Sequence, residues 1–376
     1  MSATILQIER RERPRLSQIT SLSDFTCTID ASVDSESLLG NPNISLYCLD
    51  HATRQAIFAE LPPGNDLSQA PFYHQTQFEH AQRLIAVDYD DFGLLARRVD
   101  LDSSRLILIH NIGRCGSTLL SSALNQVSSV TSFSEPDVFS QAVVLRDHDR
   151  ADLIDLLRRC VRLTFRPAVT GSTSTYSLKF RNQCVEVMDV YQAAFPQAKH
   201  LFLYRGGLSY VASLYRLSSR NPRPPISREE ALIRQAVYYN RPPASVERFF
   251  DPALESCSFE LMLATGWLIM LDRYLELYAA GFRPLAVRYE DLNAQPERVL
   301  QAMFDFCGLP QAEIPRALEA FARDSQQHTP FARDEAHSGN TVVLPDDLAA
   351  QLQAIFARHP VIRSSDFVLP GTLKVD

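Results

Sequence analysis

Residues 106–124, LILIHNIGRCGSTLLSSAL, combine the residue types that bind an anion. Gly113 and Gly116 permit backbone angles that other residues resist, so successive amide N–H groups can converge. Ser117 and Thr118 fall where a helix begins and add hydroxyls to amides that attract negative charge. Arg114 supplies a permanent, forked cation for phosphate or sulfonate oxygens. An ordinary nucleotide-kinase loop, GxxxxGK[ST], is disfavoured. The residue before Ser117 is Gly116 rather than lysine, and Asn111 stands where that motif has its first glycine. A glycine turn between strand and helix serves fold geometry as readily as a ligand, so the loop needs partners elsewhere.

Residues 200–216, HLFLYRGGLSYVASLYR, repeat the same logic. An apolar strand ends in Arg205, Gly206 and Gly207 bend the chain, and the following helix carries Ser213 two turns in. Both side chains can reach one phosphate if strand and helix pack back to back. Two phosphate sites suggest a doubly phosphorylated nucleotide.

With these motifs in order, the chain resembles the sulfotransferases that use 3′-phosphoadenosine 5′-phosphosulfate (PAPS). In that family a loop like RCGSTL binds the 5′-phosphosulfate, and a strand-end Arg with a Ser eight positions later binds the 3′-phosphate, the spacing of Arg205 and Ser213. The run VRYEDLNAQPERVLQAMFDFCGLP, Val287 to Pro310, is similar to the family's C-terminal strand and helix. The nearest pattern is that of the tyrosyl-protein sulfotransferases and related bacterial enzymes, which carry Arg in the loop, matched by Arg114. Their Glu beyond the first helix is matched by Glu135 in SFSEPD, and their Leu-Lys pair by Leu178 and Lys179. The resemblance covers roughly residues 105–345.

It implies PAPS as sulfuryl donor, no metal, and a hydroxyl acceptor, with an amine as second choice. Glu135 would act as general base, and Arg114 and Lys179 would stabilise the transferring group and the leaving phosphate. Nucleotide contacts would come from Arg114, Cys115, Gly116, Ser117, Thr118, Arg205 and Ser213. A further contact, Ser338, is placed in ARDEAHSGN, the candidate for the C-terminal nucleotide loop. Gly206 Gly207 departs from the family's Asp-Pro or Asp-Gly and is expected to loosen that turn without removing the phosphate contact. Other readings stand beside these. Glu135 before Pro136 could cap the next segment, and His110 is either a rival base or a structural histidine. A Mg-ATP-dependent small-molecule kinase or a non-catalytic nucleotide-binding protein would use the same loops.

Positioning these residues calls for a strand–helix alternation. Leu106–Ile109, Tyr176–Phe180, His200–Tyr204 and Leu285–Tyr289 read as strands. Cys184–Phe195, Ser209–Leu217 and Pro296–Phe306 read as helices, the last closed by Gly308. This pattern predicts an α/β fold with a mostly parallel sheet flanked by helices, whose ligands lie beyond the strand C-termini, and the resemblance implies that it is the P-loop NTPase-like sulfotransferase fold. The domain would span residues 101–376, with 216–255, rich in arginine and proline, as an acceptor-binding insertion, a lid or a solvated excursion. Residues 1–100 form an α+β extension of unassigned role. Within it Ile44–Leu49 and Gln55–Leu61 read as strands and Phe78–Val99 as largely helical. Phe72, Tyr73 and Phe78 read as packing residues, with acceptor contact the alternative.

Composition narrows the partners. A net charge of −7 and a pI near 5.8 argue against broad nucleic-acid binding and require any anion site to be focused. Seven scattered cysteines without a CxxC pair suit a reducing, cytoplasmic setting. Nine histidines show no metal-ligand spacing, and no apolar stretch is long enough for a membrane anchor. The expected partner is a small-molecule, saccharide or peptide acceptor, without nucleic acid or membrane.

Overall fold

The computed structural model describes residues 1–15, 18–169, 173–220, 222–323 and 343–375. Two compact units emerge. The first comprises Met1–Ile109, Thr118–Lys199 and Ala312–Ser325, and the second His110–Ser117, His200–Gln311 and Gln326–Asp376.

In the first unit an antiparallel sheet comes from the N-terminal hundred residues. Its strands are β1 (Ser2–Arg11), β2 (Phe25–Asp34), β3 (Ile44–Asp50), β4 (Gln55–Glu60) and β5 (Arg83–Asp88), in the order β2-β1-β5-β4-β3. The reading of Phe78–Val99 as largely helical is corrected here. Helices Tyr73–His80 and Tyr89–Arg97 flank β5, which lies in the middle of the sheet. The reason is burial on both faces. Ile85 and Val87 join one apolar cluster with Leu46 and Phe58, while Leu84 and Ala86 join another with Tyr47 and Ile57. A strand with two covered faces loses the alternation that marks it, and the four-residue apolar run Leu84–Val87 then fits a helix equally well.

The same unit holds a parallel ladder of β6 (Leu106–Asn111), β7 (Val130–Ser134) and β8 (Thr175–Lys179), with β8 between the other two. Helix Arg150–Val169 packs its apolar stripe, including Leu153, Leu157, Cys160 and Val161, into the first cluster. Near its end the buried Arg166 donates to the carbonyls of Leu38, Asn41, Ile44 and Leu163. Burial pushes its guanidinium down to about 10. One side chain thus ties the segment entering β3 to the end of this helix through four backbone oxygens. Tyr73 meets Phe133 edge-on at 5.2 Å and Phe78 meets Phe25 at 5.4 Å, so both pack within the unit.

In the second unit β9 (Lys199–Tyr204) pairs in parallel with β12 (Leu285–Arg288), and the Ile112 amide donates to the Leu203 carbonyl. Between them in sequence, β10 (Ile226–Ser227) and β11 (Ser256–Cys257) form a short antiparallel pair. The stretch 216–255 therefore contains structure of its own, helices Arg228–Tyr239 and Pro243–Glu247. Helix Phe259–Ala279 is buried along most of its length, Trp267 completely. Helix Pro296–Cys307 ends at Gly308 with φ 68°, as its sequence predicts. Among the described residues no helix is long and apolar enough to cross a membrane.

Replacing Arg166 by Leu keeps the apolar stem but removes the guanidinium donor from four backbone carbonyls. Such a change is expected to cost about 3–5 kcal/mol. Chemical unfolding should show a lowered midpoint with an unchanged slope; an unchanged midpoint would mean that water satisfies those carbonyls.

Candidate active site

The loop after β6 turns through three left-handed residues, Gly113 (φ 79°), Arg114 (φ 53°) and Gly116 (φ 79°), before helix Ser117–Leu124 begins. A left-handed backbone is easy for glycine and uncommon for arginine. The Gly113 amide donates to the Asn111 side chain at 2.9 Å, which braces the turn. A Cβ on Gly116 would come within 3.0 Å of the Tyr289 ring, so the small residue lets the loop lie against that ring. The Cys115 thiol faces inward to the Leu203 carbonyl at 3.3 Å. Ser117 is buried at the helix start, where the first amides have no intrahelical partner.

Arg205 directly follows β9 beside this loop. Its Nη1 donates to the Arg114 carbonyl at 2.7 Å, its Nε donates to Ser209 Oγ at 3.1 Å, and its guanidinium carbon lies 4.4 Å from the Tyr289 ring centroid. Burial lowers its pKa, with Tyr289 and Glu290 opposing. Ser213 lies on the helix Gly207–Arg220, its hydroxyl donating to the Tyr210 carbonyl at 2.6 Å. Arg205, Ser209 and Ser213 line one cleft of about 490 Å³, together with Asp346 and the apolar Leu208, Ala212 and Leu344. The guanidinium fits a phosphate group, to which each hydroxyl donates only by turning from its present acceptor. Sequence reasoning missed Ser209, although it stands one turn before Ser213 on the same helix face.

The first unit holds a second cluster. Lys179, at the end of β8 and 3% exposed in its side chain, forms an ion pair with Glu135 and donates from Nζ to Thr118 Oγ1 at 3.3 Å. Glu135 follows directly on β7. Its amide donates to the Lys179 carbonyl at 2.7 Å, so the ladder register brings the two side chains together. The Glu135 backbone is left-handed, φ 61°, and its carbonyl lies 3.0 Å from His74 Nδ1. Asp137, two residues on, is fully buried and bound by Arg181 Nη1 and the Thr20 amide, both at 2.8 Å. Burial pushes its carboxyl up, but Arg181, His74, Ser140 and Thr20 together hold it below the usual carboxylate range.

The remaining predicted positions divide as follows. Ser338 lies outside the described residues. His110 is buried and stacked parallel to His200, its Nε2 3.1 Å from His200 Nδ1; burial lowers its pKa well below the ordinary value. A structural role suits such a residue better than that of a base. Among the described residues no group of three His, Cys, Asp or Glu side chains could hold a metal ion. A separate cavity of about 200 Å³ in the first unit, lined by His51, Tyr89, His148 and Arg159, contains none of the predicted site residues.

Comparison with known families decides what this loop belongs to: the family model described as "Sulfotransferase domain" matches residues 104–341. The chain belongs to the sulfotransferase family. Among solved structures, the sulfotransferase domain from the curacin biosynthetic pathway is 17% identical, with TM-score 0.38, covering 67% of this chain and 96% of its own. A sulfotransferase from Mycobacterium avium is 14% identical, with TM-score 0.41, covering 72% and 83%, and one from Alicyclobacillus acidocaldarius is 15% identical, with TM-score 0.37, covering 67% and 92%. No curated protein matches the chain. The parallel α/β ladders and flanking helices agree with the fold expected of the family.

This sulfotransferase solves the turn after Arg205 in its own way, and the expectation of a loosened turn is corrected. Glu290 Oε1 accepts from the Gly206 amide at 3.1 Å and from Ser209 Oγ at 2.8 Å, so a carboxylate from a distant segment braces the turn. The Gly207 amide donates to the Ser365 carbonyl at 2.7 Å, and Trp267 Nε1 donates to the Arg205 carbonyl at 2.9 Å. A Cβ on Gly207 would meet the Phe356 ring at 2.7 Å, and that ring is itself packed edge-on against Trp267. Gly207→Ala is therefore expected to cost about 1–3 kcal/mol through overpacking. Calorimetry should show a melting temperature lower by several degrees, and an unchanged one would show that Phe356 yields freely.

Proposed function

We propose that this sulfotransferase moves a sulfuryl group from PAPS to a hydroxyl on a small-molecule, saccharide or peptide acceptor. PAPS, when bound, supplies the sulfuryl group and a bisphosphate leaving group. Glu135 takes the acceptor hydroxyl proton as the acceptor O–S bond forms and the sulfur–oxygen bond to the phosphate breaks. Arg114 and Lys179 stabilise charge on the sulfuryl oxygens and on the departing phosphate. Arg205 and Ser213, with Ser209, hold the 3′-phosphate, and the loop Arg114–Thr118 holds the 5′ side.

The observation that carries this reading is the buried Lys179 ammonium, which binds both the carboxylate offered as base and the hydroxyl of the anion loop's Thr118. An ammonium shared in this way orients the base and supplies charge in surroundings where a donor is worth about 3–4 kcal/mol to a transition state. Sulfuryl transfer, like phosphoryl transfer, asks for positioning and charge more than for covalent help. The Arg205 cleft supports a second phosphate on the nucleotide, a feature that a Mg-ATP kinase has no use for.

Thermal unfolding with adenosine 3′,5′-bisphosphate tests the donor site. At about 100 times its dissociation constant the ligand should add about 2.7 kcal/mol, while ATP with Mg²⁺ adds little. A shift with ATP alone would turn the reading toward a kinase. Glu135→Gln should keep the bisphosphate shift and lose about 100-fold or more in transfer from PAPS to the best acceptor of a phenol, saccharide and tyrosine-peptide panel. Full turnover in that variant would remove Glu135 as the base.

A further inference from the structure

The Glu135 backbone stands in a conformation that its own sequence opposes. Left-handed φ is unfavourable for any residue with a Cβ, and the residue before a proline, here Pro136, is biased toward extended angles. Holding it there costs about 1–3 kcal/mol, which the surroundings must supply. Those surroundings come largely from the N-terminal extension. Ser134 Oγ donates to the Pro71 carbonyl at 2.7 Å, the Thr20 amide and Arg13 bind Asp137, and Arg181 bridges Asp137 and the Gln18 carbonyl. Among the described residues, one side chain of the extension meets Glu135 itself. His74, 4% exposed on the helix Tyr73–His80, has its Nδ1 3.0 Å from the Glu135 carbonyl.

We propose that His74 is a positioning residue for sulfuryl transfer: its Nδ1–H fixes the Glu135 carbonyl, locks the left-handed turn and thereby aims the Glu135 carboxylate at Lys179. The inference rests on the reading of Glu135 as general base. A carbonyl carries no proton, so the hydrogen bond requires the Nδ1–H tautomer. The charged groups facing the ring are Asp137, Arg181, Glu135 and Arg13; burial, with Arg181 and Arg13 acting in the same direction, outweighs Asp137 and Glu135 and lowers its pKa to about 4, so the ring is neutral at pH 7. A neutral ring acts as a fixed donor and adds no second cation to compete with Lys179 for the carboxylate. The extension thus acquires a task, that of bracing the turn that presents the base.

Three measurements test this. In ¹⁵N-labelled wild-type enzyme the His74 ring should show the Nδ1–H tautomer, and the Nε2–H tautomer would overturn the proposal even if every variant failed to fold. His74→Leu fills the space without a donor, whereas His74→Asn returns an N–H near the Nδ1 position. The Leu variant is expected to lose about 10- to 100-fold in kcat. Its KM for PAPS and its melting shift with adenosine 3′,5′-bisphosphate should be unchanged, and the Asn variant should recover most of the loss. Wild-type kcat in folded His74→Leu, or equal losses in both variants, would overturn it. In a crystal structure of His74→Leu, Glu135 should leave the left-handed region. If Glu135→Gln proves fully active, the base reading falls, and that φ angle alone decides whether His74 holds the turn.

Discussion

The chemistry of this protein depends on backbone held where side chains resist it. Arg114 and Glu135, the cation of the loop after β6 and the carboxylate proposed as base, are two of four non-glycine residues with positive φ among those described. Each costs about 1–3 kcal/mol, and each lies just past the C-terminal end of a parallel strand. Such strain persists only where neighbours over-determine it. For Arg114 the neighbours are Gly113, the Asn111 side chain and the Arg205 guanidinium on its carbonyl. For Glu135 they are the ladder bond to Lys179 and the His74 ring. In both cases a hydrogen bond to the strained residue's own carbonyl fixes the peptide plane from which its side chain projects.

A second constraint follows from burying an ammonium. Lys179 has almost no access to water, so its charge requires partners, and the ladder register provides Glu135 while the helix start provides Thr118. Buried pairs of this kind contribute little net stability, because desolvation consumes most of the attraction. Their value is orientation. Two side chains that would otherwise sample several rotamers are confined to one, and the cost of ordering them is met during folding rather than during reaction.

The sequence makes some of this legible and hides the rest for a physical reason. The anion loop can be read because its chemistry is local: two glycines, an arginine and two hydroxyl residues within a few positions of a strand end. The pair Arg205 and Ser213 can be read for the same reason, and the expected strands and helices from Leu106 onward appear with boundaries shifted by at most three residues. Glu135 and Lys179 emerge from family resemblance rather than from any pattern that pairs them. What stays hidden is held by long-range partners. His74 meets Glu135 across 61 residues and Glu290 meets Gly206 across 84, and no periodicity in either segment signals the contact. The central strand β5 stays hidden because both its faces are covered, which erases the alternation on which recognition relies.

The turn after Arg205 shows how such a fold tolerates a departure from its family's usual residues. An aspartate following the arginine offers a carboxylate close by in sequence, whereas two glycines offer none and leave an amide in need of an acceptor. Glu290 supplies that acceptor from beyond β12, and in doing so also binds Ser209, which accepts from Arg205. Arginine, serine and glutamate are thereby linked in one hydrogen-bonded chain. The freedom this leaves at Gly207 is used by Phe356, whose ring comes closer than any Cβ would permit and joins Trp267 beneath the turn. Losing a local constraint and gaining a packed ring are two sides of one change, and the Arg205 guanidinium stays seated against the Arg114 carbonyl in spite of it.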